Sequence, residues 1–145
     1  MTFGGMNYLA ILLAAVAAWL AGAVWYGVLA KPWVAAQGKT IEQFKARQAK
    51  LRGSPRAYAP FIIAFVAEFV MAWILAGVLG HLGPGQVTVR NGIISALFLW
   101  AGFVATTMAV NYAFGGRRPM LYLIDVGHWL VVLVLVGAVI GAMGV

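Results

Sequence analysis

The sequence predicts an all-α integral membrane protein: four transmembrane helices, with a short amphipathic cytoplasmic helix between the first and the second. Three observations predict it. Of 145 residues, 64% are hydrophobic and only 9% are charged, where a soluble domain carries roughly 25% charged residues. The apolar residues gather into four runs, roughly 7–29, 58–79, 92–113 and 120–143, each of a length that crosses a bilayer. The charge lies mostly between the runs, with seven of the ten Lys and Arg in the segment 30–57. The length suits one domain, 1–145.

The first run would be about 34 Å long as a helix. Ala14, Ala18 and Gly22 recur in it every four positions, a spacing that lets helix backbones approach closely. Trp25 and Tyr26 stand near its end, and Lys31-Pro32-Trp33 reads as its stop. Ahead of it, Met1-Thr2-Phe3-Gly4-Gly5 lacks the basic start of a secretory signal, so this span is expected to stay in place.

The segment 30–57 is expected to be a cytoplasmic loop. Thr40 and Gln43 have the spacing of a capping box, and Gly53 followed by Pro55 reads as a helix stop. Ile41, Phe44, Gln48 and Leu51 fall on one face between them, which predicts a short amphipathic helix on the membrane surface, with a solvated helical linker as the alternative. Lys39, Lys45, Arg47, Lys50 and Arg52 are then placed against lipid headgroups.

The second run has a small-residue row at Ala72, Ala76 and Gly80, and carries Glu68 deep inside it. The third has Ala105, Ala109 and Ala113, with Trp100, Val104, Thr107 and Asn111 along a near-heptad stripe. The fourth is entered through Arg117-Arg118-Pro119 and holds Asp125 and His128. Three residues apart on a helix is about 60° of rotation, so these two share one face. Gly137 and Gly141 suit helix packing, within the bundle or between copies.

Nine basic residues lie in the first and third connections and one, Arg90, in the second. The positive-inside rule then places the two basic loops in the cytoplasm and both termini outside. Counted from the cytoplasmic ends by helical rise, Glu68 lies about 15 Å deep, His128 about 13 Å, Thr107 about 9 Å, Asp125 about 8 Å, and Trp25 and Tyr26 about 6–8 Å, with Asn111 nearer the surface. The polar groups of four helices thus collect in one half of the bundle.

A carboxylate facing lipid costs at least roughly 2.5–3.5 kcal/mol, so this face is expected to look inward. Glu68, Asp125, His128, Asn111, Thr107, Tyr26 and Trp25 are the candidates for binding a small solute, an ion or a proton. A structural module is the alternative, in which the same residues fix helix register and the basic loop holds lipid or a partner. An intramembrane enzyme has the least support: there is no HExxH motif and no cysteine, and one His with two acids is thin metal ligation. Neither a cofactor nor a nucleic-acid partner is expected. Membrane lipids are, and so is a second copy, because so small a bundle has little interior of its own.

The chain resembles a bacterial family of small four-span membrane proteins catalogued only as a domain of unknown function. The likeness lies in Asn7-Tyr8-Leu9-Ala10, Trp25-Tyr26, Lys31-Pro32-Trp33, Gly38-Lys39-Thr40, Trp100-Ala101-Gly102-Phe103, the Asn111 region and the acid-containing last helix with His128. Gly27 stands where the family often has a small polar residue, and Asp125 where Asn is expected. The resemblance implies four spans and a bacterial membrane, and no activity.

Overall fold

The computed structural model describes residues 5–145. The expectation drawn from the N-terminal segment falls mainly on residues 1–4, outside the described ones. Helix α1 (Tyr8–Val28) starts at Asn7, whose side-chain oxygen accepts the Ala10 N–H at 3.1 Å. This satisfies one of the donors that a helix start leaves unpaired. The same side chain donates to the Met143 carbonyl at 3.1 Å, tying the start of the first span to the end of the last.

After α1 the chain bends at Leu29 and at once forms a second helix, α2 (Ala30–Ala36), with Val34 and Ala36 buried. The first span thus ends just ahead of Lys31-Pro32, but a new helix starts there, so 30–57 is more than a loop. Pro32 fits because the first turn of a helix needs no N–H donor. Helix α3 (Ile41–Leu51) opens with the expected capping box: Thr40 Oγ1 accepts the Gln43 N–H at 3.2 Å and Gln43 Oε1 accepts the Thr40 N–H at 3.0 Å. Glu42, in its first turn, is held below the usual carboxylate range by its own backbone N–H and by the Thr40 hydroxyl. Gly53, at φ +80°, then turns the chain into α4 (Pro55–Gly80), which has a proline in its first turn.

Thr88 caps α5 (Val89–Leu99), which runs through a π-helical segment (Trp100–Ala105) into α6 (Thr106–Phe114). A basic turn leads to α7 (Pro119–Met143). Four helical runs are long and apolar enough to cross a membrane: α1, α4, α5 to α6, and α7. The chain is a multi-pass membrane protein, with no strand among its described residues.

Helix α7 is the axis of the bundle and packs against α1, α4 and α5. Its contact with α5 is backbone to backbone. A Cβ on Gly92 would strike the Gly137 carbonyl, one on Gly137 the Gly92 carbonyl, and one on Gly141 the Thr88 carbonyl. The Gly137–Gly141 pair thus packs within the bundle. Ala14 and Ala18 of α1 and Ala72 and Ala76 of α4 are fully buried beside Leu75, Leu79, Val132, Val136 and Ile140. This dry core fills the end of the bundle remote from the basic connections. Not every small-residue row faces inward: Ala109 and Ala113 are exposed. Only 6% of the apolar window of the third span is buried, against 44% for α7.

Candidate functional site

The polar residues occupy the other end of the bundle, and they form two groups with opposite surroundings. The first surrounds Asp125 on α7. Tyr26 of α1 donates its hydroxyl to Oδ1 at 2.8 Å, Trp33 of α2 its indole N–H to the same oxygen at 3.0 Å, and Tyr112 of α6 its hydroxyl to Oδ2 at 2.6 Å. Three elements thus converge on one carboxylate. The flanking backbone is held as well, since Trp25 Nε1 donates to the Ile124 carbonyl at 3.1 Å and Trp100 Nε1 to the Val126 carbonyl at 2.9 Å. Tyr122 reaches back to the Ala105 carbonyl at 3.2 Å. Arg118 closes the end of the bundle by donating to the Ala35 carbonyl at 2.9 Å.

The second group lies deeper. Glu68 of α4 is 1% exposed and His128 of α7 is 6% exposed, and Glu68 Oε2 and His128 Nδ1 are buried without a hydrogen-bond partner. Gly22 of α1 makes room for both. A Cβ there would stand 2.8 Å from His128 Nε2 and 3.8 Å from Glu68 Oε1. Aromatic rings wall the imidazole, with Tyr26 and Trp129 each 4.9 Å away between centroids. Tyr26 touches both groups, with its hydroxyl on Asp125 and its ring tilted at 44° beside His128. Asp125 and His128 therefore share a face of α7, as their spacing requires.

A cavity of about 340 Å³ leads from the basic end of the bundle to Asp125, lined by Trp33, Gln37, Asn111, Tyr112, Arg117 and Leu121 besides the acid. A small molecule or hydrated ion entering it meets a cation at Arg117, amides at Gln37 and Asn111, and a carboxylate at its floor. Beyond Glu68 and His128 there is only the dry core. Among the described residues no three of His, Cys, Asp and Glu are grouped to hold a metal ion.

Two candidates are not brought into either group. Thr107 is exposed, and Asn111 is exposed at the rim of the cavity instead of bonded to Asp125. The π-helical segment is the cause. Its wider turn takes up an extra residue, so the inward stripe set by Trp100 continues through Met108 and Tyr112. Two contributors escape the sequence reading, Trp33 and Tyr112. The aromatic character of the Tyr112 neighbourhood is a signal for one of them; the apparent helix stop at Pro32 conceals the other. Of the basic residues placed against headgroups, Lys39 and Arg47 line a separate cleft beside α4, while Lys45, Lys50 and Arg52 are exposed away from it.

A family model described as "Protein of unknown function (DUF1761)" matches residues 9–141, so the chain belongs to that family. No curated protein and no solved structure matches it.

Proposed function

We propose that this member of a family without an assigned activity binds a small solute or ion at the polar end of its bundle and moves it across the membrane, with Glu68 and His128 as the working groups. One observation carries the reading: a carboxyl oxygen and an imidazole nitrogen are buried among apolar helices with nothing to bond. An unsatisfied polar group in such surroundings costs free energy. A pair that takes up a proton, a cation or the polar part of a solute offsets that cost. The 340 Å³ cavity supplies the approach, and Asp125 and Tyr26 lie between it and the pair.

The charge asymmetry of the connections supports an inner-membrane orientation with the cavity open to the cytoplasm and the residues before α1 and after α7 outside. The dry core then seals the outer half, and passage needs a shift of helices around it. In this reading α3 runs along the membrane surface with Phe44 turned to Trp33 and to the cleft beside α4, and Lys45, Lys50 and Arg52 contact headgroups. The thinly buried third span, with Phe98, Phe103 and Phe114 exposed, provides the surface for a homo-oligomer.

The test uses proteoliposomes loaded with a pH-sensitive dye, with Na+ or K+ gradients imposed. Flux above empty liposomes that Glu68→Gln abolishes is the expected result. Equal flux from wild type and variant removes Glu68 from the mechanism. If neither exceeds empty liposomes, ion transport is wrong. Binding is then judged by infrared spectroscopy, as a Glu68 carboxyl band that responds to pH or to added cation and is absent from the variant. A structural reading is favoured at Asp125 alone, whose two oxygens both accept hydrogen bonds from other helices.

A further inference from the structure

A third feature shares only Gln37 with this cavity and lies where α3 folds against the start of α4. There a cleft of about 230 Å³ is lined by three cations, Lys39, Arg47 and Arg56, and by no acid. Among the described residues the side chains of Arg47 and Arg56 have no hydrogen-bond or ion-pair partner in the protein. Gln37 adds a donor. Lys39 Nζ holds its oxygen at 3.3 Å, while its Nε2 is buried and unpartnered. Arg47 and Arg56 are exposed and Lys39 half-exposed, so the cleft presents unneutralised positive charge that attracts an anion.

The other wall of the cleft is apolar. Phe44 and Leu51 of α3 face Pro60 and Phe61 of α4 across it. Phe61 also lines a second groove, of about 380 Å³, between α1 and α4, whose remaining walls are Val16, Trp19, Leu20, Ile62 and Phe65. Trp19 fixes the junction by donating its indole N–H to the Phe61 carbonyl at 3.2 Å. A cationic cleft at the membrane end of a helix therefore continues, through one shared phenylalanine, into an apolar groove running along a transmembrane span. Phe61 is six residues into α4, about 9 Å along its axis, which is where a headgroup gives way to an acyl chain.

We propose that this cleft and groove bind one anionic glycerophospholipid, its phosphate among Lys39, Arg47 and Arg56 and one acyl chain along Phe61 into the α1–α4 groove. The groove distinguishes a lipid from a soluble phosphate, which has no use for it. The site also separates the basic residues of this segment by role. Lys45, Lys50 and Arg52 add to general headgroup attraction, whereas Lys39, Arg47 and Arg56 select a single molecule.

The test is lipid retention by delipidated protein in mild detergent, read by native mass spectrometry after adding phosphatidylglycerol or phosphatidylcholine. One phosphatidylglycerol per chain should stay bound where phosphatidylcholine is lost, and excess inorganic phosphate should not displace it. Arg47→Gln with Arg56→Gln should lower retention about tenfold or more, since each removes a cation near the headgroup. Lys45→Gln with Lys50→Gln, the same change in net charge outside the cleft, should change it less than about twofold. Equal retention of phosphatidylcholine, or an equal loss from both pairs of substitutions, overturns the proposal. Displacement by inorganic phosphate shows an anion site without lipid selectivity, and overturns it too. The comparison of two lipids on the unmodified protein stands even if a variant fails to fold.

Discussion

Asp125 and Glu68 are both acids within apolar helices, in the same half of one bundle, yet their surroundings differ in kind. Asp125 receives two tyrosine hydroxyls and an indole N–H from three different elements. Glu68 is more deeply buried and its Oε2 receives nothing. A carboxylate bonded on both oxygens behaves as a pin: it fixes α1, α2 and α6 around α7, a use to which polar groups in membrane bundles are commonly put. A carboxyl left without partners gives no such return and persists only if something else requires it. The pairing of the acid with its donors, more than the depth of the charge, thus separates a structural acid from a working one.

Removing each acid should break the comparison in opposite directions. Asp125→Ala leaves three half-buried donors unpaired and should lower stability by about 2 kcal/mol, read as a lower thermal midpoint in detergent. Glu68→Leu should do the reverse. Replacing an unsatisfied buried polar group by an apolar one of similar size should raise stability by about 1–2 kcal/mol while abolishing any flux or ligand response. If Glu68→Leu destabilises the protein as much as Asp125→Ala does, both acids are structural. The smallest effect tests the register of α6. Tyr112→Phe removes one bond to Asp125 and should cost about 0.6 kcal/mol, whereas Asn111→Ala, one residue away and exposed, should leave the midpoint unchanged.

Much of this architecture is legible in the sequence, because a bilayer imposes rules that single residues reveal. A run of some twenty apolar residues has few other uses, which is why the four spans are recognisable. An acid or histidine within such a run must turn inward, which is why Glu68 and His128 are found buried. Thr40 and Gln43 announce the start of α3 because a capping box is local chemistry. What escapes depends on geometry that no local rule carries. Pro32 has the look of a stop, yet falls in a first turn where a missing N–H does no harm, so Trp33 reaches Asp125 from a segment expected to be loop. Thr107 and Asn111 fall on the inward stripe of an ideal α-helix, and this helix is not ideal between Trp100 and Ala105. The alanine row of the third span matches those of α1 and α4 in spacing, but only tertiary contacts decide which way it faces.

The π-helical segment has a consequence for length variation. Trp100 and Tyr112 are twelve residues apart and both turn towards α7, where three turns of regular α-helix need about eleven. The segment amounts to a one-residue insertion that the helix has absorbed without looping out. Deleting a single residue there, such as exposed Gly102, would restore an unbroken α-helix and still present both aromatic side chains to α7. A deletion inside a transmembrane helix ordinarily turns everything beyond it by about 100°. Here it should be tolerated, and the same deletion placed in α4 or α7 should not be. Relatives of this chain can therefore differ in length by one residue at this position and still keep the contacts around Asp125.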